Sequence, residues 1–237
     1  MADNKPTLHH MNCSQSQRIL WLLEELNIDY NLISHERNPP NHPTAPYRSP
    51  PSLVAAGHYG KAPLLITGAK DGSRPIPESS AIVTYLIRTF DTEDKFGLKN
   101  GDWIRDEILV SINSTNFNRV HGQALMFDWG VLKAGDAGLN FPSSGKAYWS
   151  VLADLEYELK NGPKGGYFMG EHPGRADILL EFQTSMVKQR NWADLKADYP
   201  LLDAWLARVY ARDAWKRGLA KGNGYDLSIF PKIPERR

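Results

Sequence analysis

Three short stretches carry residue types able to handle a small charged or thiol-bearing ligand. The first is Asn12-Cys13-Ser14-Gln15-Ser16-Gln17-Arg18, lying between an apolar run and the start of a helical pattern. A helix N-terminus presents unpaired N–H groups and partial positive charge, so a hydroxyl there can steady a bound thiolate and a thiol there can itself ionise. The same residues also read as simple capping: Ser14 with Gln17 fits S-x-x-Q, and Ser16 is a second candidate cap. The second stretch is Lys61-Ala62-Pro63-Leu64. A proline opening an apolar strand donates nothing to the ladder, so it belongs at a strand start or an edge. Trans is the ordinary geometry there, whereas a cis bond would expose the N–H and C=O of Ala62 to an extended ligand. The third is Pro77-Glu78-Ser79-Ser80. It reads either as an N-cap serine with an acidic neighbour, or as a helix start that binds a carboxylate while Glu78 answers a ligand ammonium.

The elements that must position these residues follow from periodicity. Residues 6–12 form a weak strand, Gln17 to Leu26 an amphipathic helix, and residues 28–34 a second strand. Asn38 to Pro51 contains six prolines, which no long helix tolerates, so it is an irregular loop. The apolar run Ala62 to Thr67, the turn GAKDGS and the short run Pro75–Pro77 make a hairpin. Ser79 to Phe90 buries a helix face through Ile82, Val83, Leu86, Ile87 and Phe90. The order β-α-β-loop-β-β-α is that of an α/β thioredoxin-like unit over residues 1–91, with 92–100 (acidic and glycine-containing) as linker. Residues 101–237 show helical patterns without a convincing strand, which predicts an all-α helical-bundle domain. One long helix runs from Trp103 towards Phe127, two more cover 145–161 and 174–190, and Leu201, Leu202, Trp205, Leu206 and Val209 line another.

Composition excludes several functions. A net charge of +1, with Lys and Arg scattered along helices, argues against nucleic acid as partner. Cys13 is the single cysteine, so neither an internal disulfide nor a cysteine zinc site can form, and no metal site is expected. The opening MADNKPTLHHMN lacks an apolar signal core and no stretch approaches about 18 apolar residues, so a soluble cytoplasmic protein without membrane contact is expected. Seven Trp, eight Phe and ten Tyr supply either an aromatic interior or a pocket for flat apolar molecules.

Taken in order on one thioredoxin-like frame, the three stretches resemble the cytosolic glutathione transferases. The likeness is to fungal Gtt-type enzymes and bacterial relatives, through SQRILWLLEEL, Arg37-Asn38-Pro39 and GKAPLL. In the second half, Gly170-Glu171-His172 followed by Arg175-Ala176-Asp177-Ile178 resembles the capped helix of that family. Tyr199-Pro200-Leu201-Leu202-Asp203-Ala204-Trp205 resembles its C-terminal signature. Gly174 stands where the family has Ser or Thr, and glycine remains an acceptable N-cap.

The resemblance implies glutathione as co-substrate or cofactor and a cis Pro63. It implies that Ala62 pairs with the cysteinyl backbone of glutathione, that Glu78 and Ser79 hold the γ-glutamyl end, and that Lys61 faces the glycyl carboxylate. Ser14 would sit beside the thiol, with Cys13 as the alternative, since omega-type relatives carry a cysteine nearby. A free thiol of pKa about 8.5 is a few per cent ionised near neutrality, and lowering it by ~2 units raises the thiolate fraction about 25-fold. Asn116, Phe117, Val120 and His121 would line the pocket for a small hydrophobic electrophile, although Phe117 also reads as core and His121 as a helix-end residue. The expected activity is glutathione transfer. The alternatives are glutathione-dependent double-bond (cis-trans) isomerisation in fungal secondary metabolism, and non-catalytic binding of hydrophobic ligands. A homodimer is expected by analogy.

Overall fold

A computed structural model describes residues 4–132 and 148–232 of the chain. Its residues fall into two compact units, one of Met1–Gly101 with Tyr210–Tyr225, the other of Asp102–Val209 with Asp226–Arg237. The sequence pattern assigns 210–225 to the helical domain of residues 101–237. In the structure this segment packs with the first unit.

The first unit contains β1 (Thr7–Met11), α1 (Gln17–Leu26), β2 (Asn31–His35), α2 (Pro51–Ala56), β3 (Leu64–Ile66), β4 (Pro75–Ile76) and α3 (Ser79–Phe90). The four strands form one sheet in the order β2-β1-β3-β4. Strand β1 is parallel to β2, with Leu8 opposite Leu32, and antiparallel to β3, with Leu8 opposite Leu65. Being paired on both edges, β1 is buried at Leu8 and His10. The proline-rich stretch is organised by Asn38, whose side chain donates to Ala45 O (3.1 Å) and whose N–H donates to Arg48 O (3.0 Å). The helix α2 that follows begins at Pro51, where a missing N–H costs nothing.

Helix α1 is buried from Gln17 through Glu24 because it meets the sheet, α3 and, in the same unit, α10 (Asp213–Lys221). Trp21 meets Trp215 edge to face at 5.8 Å, and Trp215 stacks on Tyr210 at 4.9 Å. The rim of this contact is ionic: Arg212 pairs with Glu25, and Arg217 and Lys221 pair with Glu24. Burial opposes the charge on Glu24, yet hydrogen bonds from Lys221, Tyr30 and Arg217 hold its carboxyl below the usual range. Gly218 makes the close approach possible, since a Cβ there would lie 3.1 Å from the backbone of Leu20 and Trp21.

In the second unit, the single long helix expected from Trp103 towards Phe127 is interrupted. It comprises α4 (Trp103–Ile112), a π-helical turn (Asn113–Phe117) and α5 (Asn118–Asp128). The polar run Asn113-Ser114-Thr115-Asn116 explains the break. Ser114 and Thr115 hydroxyls bond back to Val110 O (2.9 Å) and Ser111 O (2.7 Å), which loosens the regular ladder. Then come α6 (Ser150–Asn161), α7 (Arg175–Gln189), the short α8 (Leu195–Asp198) and α9 (Pro200–Ala211). Residues 145–147 of the expected helix 145–161 lie outside the described residues.

Helix α7 is the spine of this unit, buried from Ala176 through Val187. Gly174 has no side chain with which to cap it, so only half of a capping box exists: Asp177 Oδ2 accepts from Gly174 N at 2.8 Å. The other carboxylate oxygen accepts from Phe168 N (3.0 Å) and Trp205 Nε1 (2.7 Å). Burial pushes this carboxyl up to about 6 against the three donors. Among the described residues no helix is long and apolar enough to cross a membrane.

Two stability outcomes follow from this packing. Gly218→Val forces α10 off α1 and should cost about 1–3 kcal/mol, read as a lower urea midpoint. Asp177→Ala strands three buried N–H donors and should cost about 3 kcal/mol or more by the same measurement.

Candidate functional site

The sheet register brings the three sequence stretches to one end of the first unit. In the β1–β3 pair His9 faces Leu64, so the same register carried on sets Met11 level with Ala62. In the β3–β4 pair Leu65 faces Ile76, three residues before α3 begins at Ser79. Ala62 therefore precedes the strand that lies between β1 and β4, β4 being the strand that leads into α3. A further link closes the arrangement: Ser79 Oγ donates to Gln15 Oε1 at 3.3 Å, tying α3 to the turn before α1.

The Ala62–Pro63 bond is cis, as the resemblance implies. The N–H and C=O of Ala62 have no hydrogen-bond partner among the described residues, while the strand beyond Pro63 is paired. Lys61 is exposed and makes no ion pair among them. Glu78 is exposed and stands at φ 67, a left-handed conformation uncommon for a side-chain-bearing residue. Held there, it opens α3 and accepts from Ile82 N through its carbonyl (3.0 Å). Ser79 is buried behind it.

The turn after β1 is pinned from two directions. Cys13, also at a positive φ of 50, donates its N–H to Gly224 O at 2.9 Å. Arg37 Nε donates to Asn12 O (2.9 Å), its NH2 group to Cys13 O (2.9 Å) and NH1 to Tyr47 O (2.8 Å). Burial draws the Arg37 guanidinium down to about 10, against the pull of Cys13, and it stays charged at neutral pH. A charged fork on three carbonyls fixes the turn more firmly than neutral donors would.

Neither residue offered for the thiol position is open to solvent, Ser14 being 3% and Cys13 4% exposed. The capping reading holds only in part: Ser14 Oγ accepts from Ser16 N at 3.2 Å, but not from Gln17 N. The N-cap of α1 is Ser16, which makes no side-chain cap bond, and Gln17 N bonds to the carbonyl of Ser14 rather than to its hydroxyl (3.2 Å). Both hydroxyls also reach back to β1. Ser14 Oγ lies 2.7 Å from Met11 O and 2.7 Å from Ser16 Oγ, and Ser16 Oγ lies 2.8 Å from His10 Nδ1. Serine prefers such local backbone acceptors when one is within reach.

His10, Gln15 and the Asn223–Gly224 segment are site residues that periodicity did not single out. Gln15 carries no periodic signal of its own, and nothing local ties residues 223 and 224 to residue 13. The Gln17 amide is buried with both atoms unpartnered, beside Gly222, whose Cβ would come 2.8 Å from Gln17 Oε1.

The four residues expected to line an electrophile pocket all belong to the second unit. Asn116 is exposed. Phe117 is fully buried, Val120 and His121 nearly so, and these three are interior residues. The His121 ring meets Phe182 at 5.6 Å and Trp192 at 5.7 Å, and Val120 O accepts from Tyr148 Oη at 2.8 Å. A cleft of about 580 Å³ in the same unit is lined by Trp149, Lys188, Trp192, Asp194 and Tyr199 among others, and by none of the four.

Both halves of the chain match a known family. Residues 12–89 match the glutathione S-transferase N-terminal domain and residues 147–213 the C-terminal domain. Glutathione S-transferase 3 of Schizosaccharomyces pombe is 35% identical over 246 residues, covering 95% of this chain and 91% of the relative. Glutathione S-transferase 1 of Saccharomyces cerevisiae is 28% identical over 226 residues, with 88% and 91% covered. A crystal structure of a glutathione S-transferase from Actinobacillus pleuropneumoniae superposes with a TM-score of 0.75 at 29% identity, covering 95% of this chain and 96% of that one. A transferase homologue from Lodderomyces elongisporus, crystallised with two glutathione molecules per subunit, shares the fold with a TM-score of 0.70 at 20% identity, covering 91% and 98%. With its two domain matches and its fungal relatives, this chain belongs to the glutathione S-transferase family, whose co-substrate is glutathione.

Proposed function

We propose that this chain binds glutathione at the open end of its sheet and activates the thiol for attack on a small hydrophobic electrophile. The observation that carries the reading is the N–H and C=O of Ala62, beside the cis bond and without a partner among the described residues. The cysteinyl backbone of glutathione pairs with both atoms as an added extended segment. The γ-glutamyl carboxylate then meets the N-terminus of α3 and the Ser79 hydroxyl, and exposed Glu78 answers the ammonium. Lys61 faces the glycyl carboxylate. Ser14 stands beside the sulfur, where the start of α1 adds partial positive charge.

Double-bond isomerisation uses the same thiolate up to the adduct and differs in that the adduct collapses. A non-catalytic binder is favoured by one observation, the inward bond of Ser14 Oγ to Met11 O. A buried single cysteine suits a reducing cytoplasm. An isologous homodimer would cover the apolar face of α4, where Trp103, Ile104 and Ile108 are 68%, 55% and 51% exposed.

Incubation with glutathione and either 1-chloro-2,4-dinitrobenzene or conjugated polyenes, followed by mass spectrometry, separates these readings. A transferase yields the adduct mass, an isomerase unchanged mass with altered retention. Glutathione binding with neither product would leave only the binder. Ser14→Ala should lower kcat/KM at neutral pH about tenfold or more, and Cys13→Ala should change it by no more than about twofold. Loss of turnover in Cys13→Ala alone would overturn the Ser14 assignment. For the assembly, light scattering should give twice the chain mass for the wild type, and Ile108→Glu should shift it towards the single-chain value.

A further inference from the structure

We infer that Gln15 is a specificity-determining residue of the ligand site, its side-chain amide donating to the carboxylate of the γ-glutamyl group. The inference rests on the proposed seat of that group at the N-terminus of α3. Gln15 lies in the turn between β1 and α1 and is half-buried. Its side chain reaches Ser79, the first residue of α3, where Gln15 Oε1 accepts from Ser79 Oγ at 3.3 Å. The same oxygen accepts from the NH2 group of Arg18, a residue only 2% exposed.

These two contacts fix which way the amide faces. A guanidinium has N–H donors and no acceptor, so the Gln15 atom that meets Arg18 is the oxygen and not the nitrogen. Ser79 meets that oxygen too, and an amide oxygen only accepts, so the hydroxyl hydrogen points at Gln15. Both lone pairs of the oxygen are then in use. The NH2 group, on the other branch of the same flat amide, makes no hydrogen bond among the described residues. Arg18 also strengthens it as a donor, because a cation bonded to an amide oxygen polarises the N–H bonds beyond.

The hydrogens balance with and without ligand. Without it, Arg18 and Ser79 each give one hydrogen to Gln15 Oε1. When a carboxylate settles at the start of α3, the Ser79 hydrogen turns to one of its oxygens and a Gln15 N–H serves the other. Arg18 remains on Gln15 Oε1, so every bond keeps one hydrogen and that oxygen is never left bare. An ammonium in the same place would meet the Gln15 NH2 donor to donor, and an uncharged group would take less from a polarised donor. The arrangement therefore selects for a carboxylate there and leaves the ammonium to Glu78, which is exposed.

The test is calorimetric titration of the intact chain with two thiols. One is glutathione; the other is γ-aminobutyryl-cysteinylglycine, which lacks only the γ-glutamyl carboxylate. The wild type should bind glutathione about a hundredfold more tightly. Gln15→Glu keeps the side-chain length and an acceptor for Arg18 and Ser79 but removes the NH2 donor. It should weaken glutathione about thirtyfold and leave the analogue within about twofold, so that the discrimination nearly disappears. Gln15→Met, with neither amide donor nor acceptor, should lower the same ratio about tenfold whatever it does to affinity overall. A side chain that only ties the turn to α3 predicts otherwise. Gln15→Glu would then bind both thiols as the wild type does, or would weaken both by the same factor, and either result overturns the inference. If the wild type binds the two thiols equally, the seat of the γ-glutamyl group on α3 is itself wrong. If the wild type discriminates and both variants keep its ratio, that seat stands and the role of Gln15 alone is lost.

Discussion

Everything at the candidate site hangs from the two-sided pairing of β1. A strand bonded to β2 on one edge and β3 on the other cannot shift register by one residue without turning its buried side chains outward. That constraint fixes the end of β1, and with it the turn at Cys13, the level of Ala62 and, through β4, the start of α3. The ladder then stops. Past Pro63, at Ala62, the chain offers an N–H and a C=O that have no partner among the described residues. That edge is where the peptide-like ligand is proposed to add as an extended segment.

The turn itself is held by charge rather than by apolar burial. Arg37 uses its guanidinium to collect the carbonyls of Asn12, Cys13 and Tyr47, binding the proline-rich loop to the site. Backbone carbonyls gathered this way do not neutralise the cation, so the positive field persists beside the place proposed for a thiolate. On the opposite side, Gly224 receives the Cys13 N–H, and α10 is anchored to α1 by Trp215 on Trp21 and by Glu24 and Glu25. The last helix of the first unit is thus a structural part of the site, although it lies about 200 residues away in sequence.

Much of the element pattern was legible because it is local. The spacing of Ile82, Val83, Leu86 and Ile87 gave α3 its observed limits, and the apolar run Gln17 to Leu26 did the same for α1. Errors came where local signals were weak. Nothing in the Asn38 to Pro51 stretch shows that Asn38 organises it, and α2 is too short for periodicity to register. The break in the long helix had a visible cause in the run Asn113 to Asn116, where side-chain hydroxyls compete for backbone carbonyls. The residues offered for the electrophile were the least legible. Periodicity separates a buried face from a solvent face, but it does not separate a core wall from a pocket wall, and Phe117 proved to be core.

By itself the sequence determined which residues are candidates for the site: Ser14, Lys61, Ala62, Pro63, Glu78 and Ser79, in an order set along one α/β frame. The tertiary structure decided how those groups are oriented. It set the cis bond at Pro63, the positive φ of Glu78, and the inward turn of the Ser14 hydroxyl towards Met11 and Ser16. The physical reason is that a hydrogen bond depends on which acceptors stand within about 3 Å. At Ser14 those acceptors include Met11 O and Ser16 Oγ, and the turn that holds it is bonded through Cys13 N to Gly224 O near the far end of the chain. Local patterning cannot encode a partner that distant, and only the folded chain supplies it.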